Sequence, residues 1–163
     1  MYKVNDIVVY KKYICRIKEI KENHLSGKNY YVMVPIDDDS LKIDVPTEDK
    51  LGLIRNVISK EDANNLIDRI AKIDVIQADE KSIESEYKKL FSEDSLENLI
   101  KIIKTTYLRN NERLLNKKKI SEKDENYFQK AEKQLYNELS ISLGMDFEQT
   151  RKYIIEYVQK QIP

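Results

Sequence analysis

Residues 30–46 read YYVMVPIDDDSLKIDVP. Tyr30 to Val34 is a run of aromatic and β-branched residues, and Asp37-Asp38-Asp39-Ser40 is a polar turn. Leu41, Ile43 and Val45 then alternate with Lys42 and Asp44 until Pro46 ends the run. That is the period-two pattern of two strands joined by a turn. The same reading extends upstream. Ile7-Val8-Val9-Tyr10 is a short β-rich run, Tyr13 to Ile20 alternates, and Ser26-Gly27-Lys28 within Asn23–Asn29 is a turn signal. Four or five strands fall in the first 57 residues with no helical pattern between them. A parallel βαβ arrangement is therefore excluded, and a small Tudor/SH3-like β-barrel is predicted.

After Ile58 the period becomes helical. Ser59, three residues before Asp62, opens a helix with Ala63, Leu66, Ile67, Ile70 and Ile73 on one face. Asp79 or Ser82 opens a second helix carrying Ile83, Tyr87, Leu90 and Phe91, and a longer third carries Leu96, Leu99, Ile100, Ile103 and Tyr107. Asn116–Lys119 breaks the pattern. Ser121 with Asp124 or Glu125 starts a fourth helix bearing Phe128, Ala131, Leu135 and Leu139, stopped by Gly144. Asp146 with Gln149 caps a fifth, with Tyr153, Ile154, Tyr157 and Val158. The predicted class is α+β, with a β module over 1–57 and a bundle of about five helices over 58–163. No Gly/Ser/Pro linker separates them, so the first helix is expected to pack on the barrel or bridge the halves.

Composition narrows the chemistry. The 163 residues carry 29 Lys plus Arg and 29 Asp plus Glu, a formal net charge of zero. Through Val57 there are ten basic and nine acidic residues, and the remainder carries 19 and 20. Neither half has the basic excess of a free-standing nucleic-acid binder, so DNA contact needs a local patch or delivery by a partner. The single Cys15 permits no internal disulfide or cysteine zinc cage, and the single His24 lies in a polar turn. Asp37-Asp38-Asp39 lacks the alternate ligand spacing of a calcium loop. With three glycines, none of the phosphate-cradling or nucleophile-elbow motifs is present. No enzyme, cofactor, metal or small-molecule substrate is expected. The chain has no run of about 20 apolar residues for a membrane span, and MYKVNDIVVY has no signal-peptide apolar region. The expected compartment is a reducing cytoplasm.

Binding is the better prospect. Small β-barrels have edge strands whose unpaired backbone groups accept a strand from a partner. The Leu41–Pro46 strand is the leading candidate, and Tyr30-Tyr31 offers aromatic area or fills the barrel. Arg109 and Arg113 share a helix face, followed by Lys117, Lys118, Lys119 and Lys123. That face either complements a helix dipole or touches phosphates.

The order of these features resembles the CarD/CdnL family, whose N-terminal module also occurs in transcription-repair coupling factors. Val4-Asn5-Asp6-Ile7-Val8-Val9-Tyr10 resembles its V-G-D-x-V-V-Y opening, and Gly27 with Tyr30-Tyr31-Val32 its G-x-x-x-Y-Y-V strand. Ile43-Asp44-Val45-Pro46 is similar to V-x-V-P, and Gly52-Leu53-Ile54-Arg55 to the turn into the first helix. Tyr107-Leu108-Arg109-Asn110-Asn111-Glu112-Arg113, Ile120-Ser121, Ala131, Leu135 and Glu138-Leu139 resemble the helical half, so the match spans Val4 to Leu143.

The resemblance implies a bacterial transcription regulator without catalytic activity. Its Tudor-like module would dock on the RNA polymerase β subunit by strand pairing, and its helical domain would approach promoter DNA and stabilise the open complex. Carried over, it marks Tyr31, Lys42, Asp44, Val45 and Pro46 for polymerase binding. Lys81, Lys88, Lys89, Arg109 and Arg113 are marked for DNA. Asp79 stands where the family has a Trp that wedges into the minor groove, and the chain has no Trp at all. DNA contact is accordingly expected to be weakened or relocated. Asn23 and Asp44 replace frequent arginines, and Lys11-Lys12-Tyr13-Ile14 replaces the usual Pro-x-x-Gly turn. Two rival readings are a polymerase-binding adaptor without the promoter role, and an RNA-binding Tudor/SH3-like protein.

Overall fold

The first 56 residues build five strands: β1 (Ile7–Tyr10), β2 (Tyr13–Lys21), β3 (Tyr30–Pro35), β4 (Ile43–Pro46) and β5 (Ile54–Asn56). The structure, a computed structural model, describes residues 1–160. All pairings are antiparallel, and the order across the sheet is β4-β3-β2-β1-β5, which leaves β4 and β5 as its edges. Alternation along each strand sends Val8, Cys15, Ile17, Tyr31, Met33, Val45 and Ile54 into one core. Burial pushes the Cys15 thiol pKa up to about 11, with the Asp37 carboxylate adding to the shift, so it is a small core hydrophobe.

Local backbone geometry explains the turns. The β1–β2 hairpin closes at Tyr10↔Tyr13 with a two-residue turn, Lys11 (φ 46°) and Lys12 (φ 76°). Two positive φ values in succession are normally met by Asn-Gly, which tolerates them far better than lysine. Lys11→Asn with Lys12→Gly is therefore expected to raise stability by about 1 kcal/mol, read as a shift in the urea midpoint. Asn5, in the family's glycine position, takes φ 78°. The β2–β3 register slips between Ile17 and Glu19, a bulge that bends β2. Asp49 shapes the approach to β5, its two carboxylate oxygens accepting from the Leu53 (2.8 Å) and Ile54 (2.9 Å) backbone N–H groups.

The chain divides at Val57/Ile58 into two compact units. The second holds α1 (Lys60–Asp68), a 3-10 turn (Ile70–Lys72), α2 (Ile83–Ser92), α3 (Leu96–Leu115), α4 (Glu122–Leu143) and α5 (Phe147–Gln159). The caps are local and agree with the sequence. Ser59 and Ser121 accept from the N–H groups of Asp62 and Asp124, Asp146 and Gln149 form a capping box, and Gly144 takes φ 67° beyond α4. Asp79 and Ser82 share the opening of α2. The Asp79 carboxylate accepts from the Lys81 and Ser82 N–H groups and the Ser82 hydroxyl, whereas Ser82 makes no side-chain cap bond.

Within this unit α1 buries Ala63, Leu66 and Ile67 in the helical core and packs on α4. The remaining core is Ile70, Ile73, Ile83, Tyr87 and the inward residues of α3, α4 and α5. Three buried polar residues fasten the irregular segments to it. Glu138 accepts from the Ile58 N–H (2.8 Å) and Thr105 from the Ile76 N–H (2.9 Å), and the Lys104 ammonium donates to the carbonyls of Ile70 and Ile73 (2.7 Å each). Desolvation lowers the Lys104 pKa, with Asp74 opposing the shift.

Glu132 on α4 is also buried, 3.2 Å from the Arg151 guanidinium of α5. Burial raises its pKa and outweighs the pull of Arg151 and the Tyr136 hydroxyl. A raised folded pKa means that this group's stability contribution is present below the unfolded value and lost as pH rises through the folded one. Glu132→Gln should therefore gain stability relative to the native chain as pH goes from about 3 to about 7. Urea melts at both values check it, and a constant difference would refute it.

Candidate functional site

The free edge of β4 is defined by its pairing with β3. Thr47 N–H donates to the Asn29 carbonyl at 3.0 Å. Asn29/Thr47 is thus a hydrogen-bonded pair, and antiparallel alternation makes Tyr31/Val45 and Met33/Ile43 the next two. Residues 43, 45 and 47 spend their backbone groups on β3. Asp44 and Pro46 direct theirs outward; the Pro46 C=O accepts from the Asp49 N–H at 3.1 Å, which leaves the Asp44 N–H and C=O for an incoming strand. Pro46 has no N–H to waste on that side, in keeping with proline's place on edge strands.

Beside this edge lies a shallow groove of about 190 Å³, whose lining includes Tyr10, Val45, Pro46, Leu51 and Leu53. Leu51 is 82% exposed, an apolar side chain held in water at the rim. Asp44 is exposed, and its carboxylate lies 3.5 Å from the His24 ring nitrogen. His24 in turn meets Tyr30 edge to face, centroids 5.6 Å apart.

The sequence-predicted docking residues separate on this geometry. Tyr31 is 2% exposed with its hydroxyl accepting from the Tyr2 N–H at 3.2 Å, and Val45 is 4% exposed. Alternation turns both side chains into the sheet's core, so they support the edge from beneath. Lys42 is exposed but precedes the strand, which begins at Ile43. Asp44 keeps its outward backbone groups, whereas the Pro46 C=O is taken by the Asp49 N–H. Leu51 and His24 were missed. Leu51 had a weak signal, a lone leucine between Lys50 and Gly52, and His24 had none.

In the helical unit the predicted DNA residues divide as well. Lys81, Lys88 and Lys89 are exposed around α2, with Lys88 3.6 Å from Glu84 one turn away. Arg109 and Arg113 are built into a network. The buried Asp124 carboxylate accepts from Tyr87 Oη (2.8 Å), Arg109 Nε (3.0 Å) and Arg113 Nη1 (2.6 Å). Arg113 Nη1 also donates to Asn110 (2.6 Å), which accepts from the Ser121 N–H. On the outer side the Nη2 groups of both arginines meet the exposed Glu80 carboxylate. Burial would raise the Asp124 pKa, but hydrogen bonds from Arg113, Tyr87 and Arg109 overcome it and hold the carboxyl below the usual range. The two arginines thus fasten α3 to the start of α4, a role the sequence did not show. Asp79 is occupied in capping its own turn.

Residues 2–58 match the family model of the CarD-like/TRCF RID domain. Over these residues the N-terminal unit is similar to that domain. The match supports a transcription-related role through interaction with RNA polymerase. The chain matches no curated protein. The matched residues carry the β4 edge and its groove, while the arginine network lies in the helices beyond them. Among the described residues no three His, Cys, Asp or Glu side chains gather to hold a metal, and no helix is long and apolar enough to cross a membrane.

Proposed function

We propose that the RID domain docks on the β subunit of bacterial RNA polymerase by adding a polymerase strand to the outer edge of β4. The observation that carries this reading is the outward Asp44 N–H and C=O beside the Leu51 groove. Backbone bonds would supply affinity, and the Asp44 carboxylate and Lys42 would help set register. The helical unit would then approach promoter DNA and modulate the open complex, with Lys81, Lys88, Lys89, Arg109 and Arg113 as the phosphate contacts. Titration of the full chain against a purified polymerase β lobe tests the docking half. Saturable binding is expected, and none would overturn it.

A second reading, an adaptor that binds polymerase without touching the promoter, is favoured by one observation: Asp124 and Glu80 already engage both arginines. Open-complex lifetime on a promoter template separates the two, since an adaptor leaves the lifetime unchanged. The RNA-binding reading instead requires salt-sensitive RNA affinity without polymerase.

A further inference from the structure

We propose that Glu80 occupies a seat for a phosphate group, and that a phosphodiester of a nucleic-acid backbone displaces it from Arg109 and Arg113. The inference rests on the reading of the helical unit as facing DNA.

The geometry is that of a preorganised anion site with a removable lid. Asp124, fully buried, pins the inner side of each guanidinium through Arg109 Nε and Arg113 Nη1. Their Nη2 groups are thereby aimed at one point, where Glu80 Oε1 sits, and Lys123 Nζ approaches the other Glu80 oxygen at 3.9 Å. The two arginines and Lys123 have side chains 19–30% exposed, whereas Glu80 is 66% exposed. The inner carboxylate is structural and cannot leave without taking the inner charge partner from both half-buried guanidinium groups. The outer one is a long, solvated side chain whose ion pairs are weak and cheaply exchanged.

Next to it is a cavity of about 210 Å³ lined by Glu80, Arg109, Glu112, Arg113, Asn116 and Lys118. That is below the roughly 300 Å³ at which pockets begin to hold drug-sized ligands, and it suits a single phosphate. Besides Glu80, the cavity lining holds one carboxylate, Glu112, against the cations Arg109, Arg113 and Lys118. A phosphate, like a carboxylate, meets the planar arginine fork through paired oxygens.

The test uses the full chain and a fluorescein-labelled duplex of about 20 base pairs, followed by anisotropy over a salt series. Glu80→Gln and Glu80→Ala should each tighten duplex binding by roughly three- to tenfold and steepen the log–log salt slope by about one to two, as freed arginines take phosphates. Glu156→Gln, removing the same charge from an exposed site on α5, should change neither. Inorganic phosphate, added as competitor, should reverse the gain. Equal duplex affinity and slope in native chain and both Glu80 variants would overturn the seat. If that native chain still binds duplex, the DNA-facing reading survives without the seat. If the Glu80 variants gain affinity for inorganic phosphate but not for duplex, the seat stands as a free-phosphate site and the nucleic-acid assignment falls.

Discussion

Replacing Asp124 by alanine is expected to destabilise the helical unit by about 3–5 kcal/mol, the cost of removing one partner from a buried ion pair. The carboxylate is fully buried and accepts from Tyr87, Arg109 and Arg113 at 2.6–3.0 Å. Its loss leaves Arg109 Nε and the Tyr87 hydroxyl without that acceptor and Arg113 Nη1 with Asn110 alone. Asp124→Asn keeps the shape but not the charge and should fall between. The pH dependence has a definite sign. A carboxyl held below its ordinary range contributes stability that is present above the unfolded pKa and lost as pH falls through the folded one. The native chain should therefore lose its advantage over Asp124→Ala on acidification. Denaturant melts of both proteins at neutral and acid pH test this, and a difference below about 1 kcal/mol at neutral pH would show that the network contributes little.

Asp44→Pro is expected to weaken binding to the polymerase β lobe by at least about tenfold, equivalent to about 1.4 kcal/mol. The substitution removes the outward N–H, the donor an added strand would use, and puts a ring where that strand would lie. Because the N–H faces away from β3, the β3–β4 ladder loses no bond, and stability should change by less than about 1 kcal/mol. Asp44→Arg keeps the N–H and changes only the side chain. A loss with proline and not with arginine locates the affinity in the backbone; a loss with both brings in the carboxylate. Unchanged affinity for the proline variant would remove the β4 edge from the interface.

The legible features of this protein are local ones. Strand alternation at Tyr13–Ile20 and Leu41–Pro46, the switch to a helical period after Ile58, and the caps at Ser59, Ser121, Asp146 and Gly144 each depend on residues a few positions apart. Alternation alone leaves undecided which face of a strand is buried. Tyr31 and Val45 lie on the right strands, but which face meets the core is set by the whole sheet. Lys42 was assigned to β4 because its neighbours alternate, yet pairing with β3 begins only at Ile43.

The sequence by itself determined the two-part architecture, the order of elements and the likeness of residues 2–58 to an RID domain, because periodicity and short motifs are properties of contiguous chain. Tertiary structure alone decided which edge is open and what Arg109 and Arg113 touch. Their partners Asp124 and Glu80 lie 11 to 33 positions away along the chain. Such contacts form only when α3, α4 and the segment before α2 pack together, and burial then makes Asp124 a structural charge while exposure leaves Glu80 an exchangeable one.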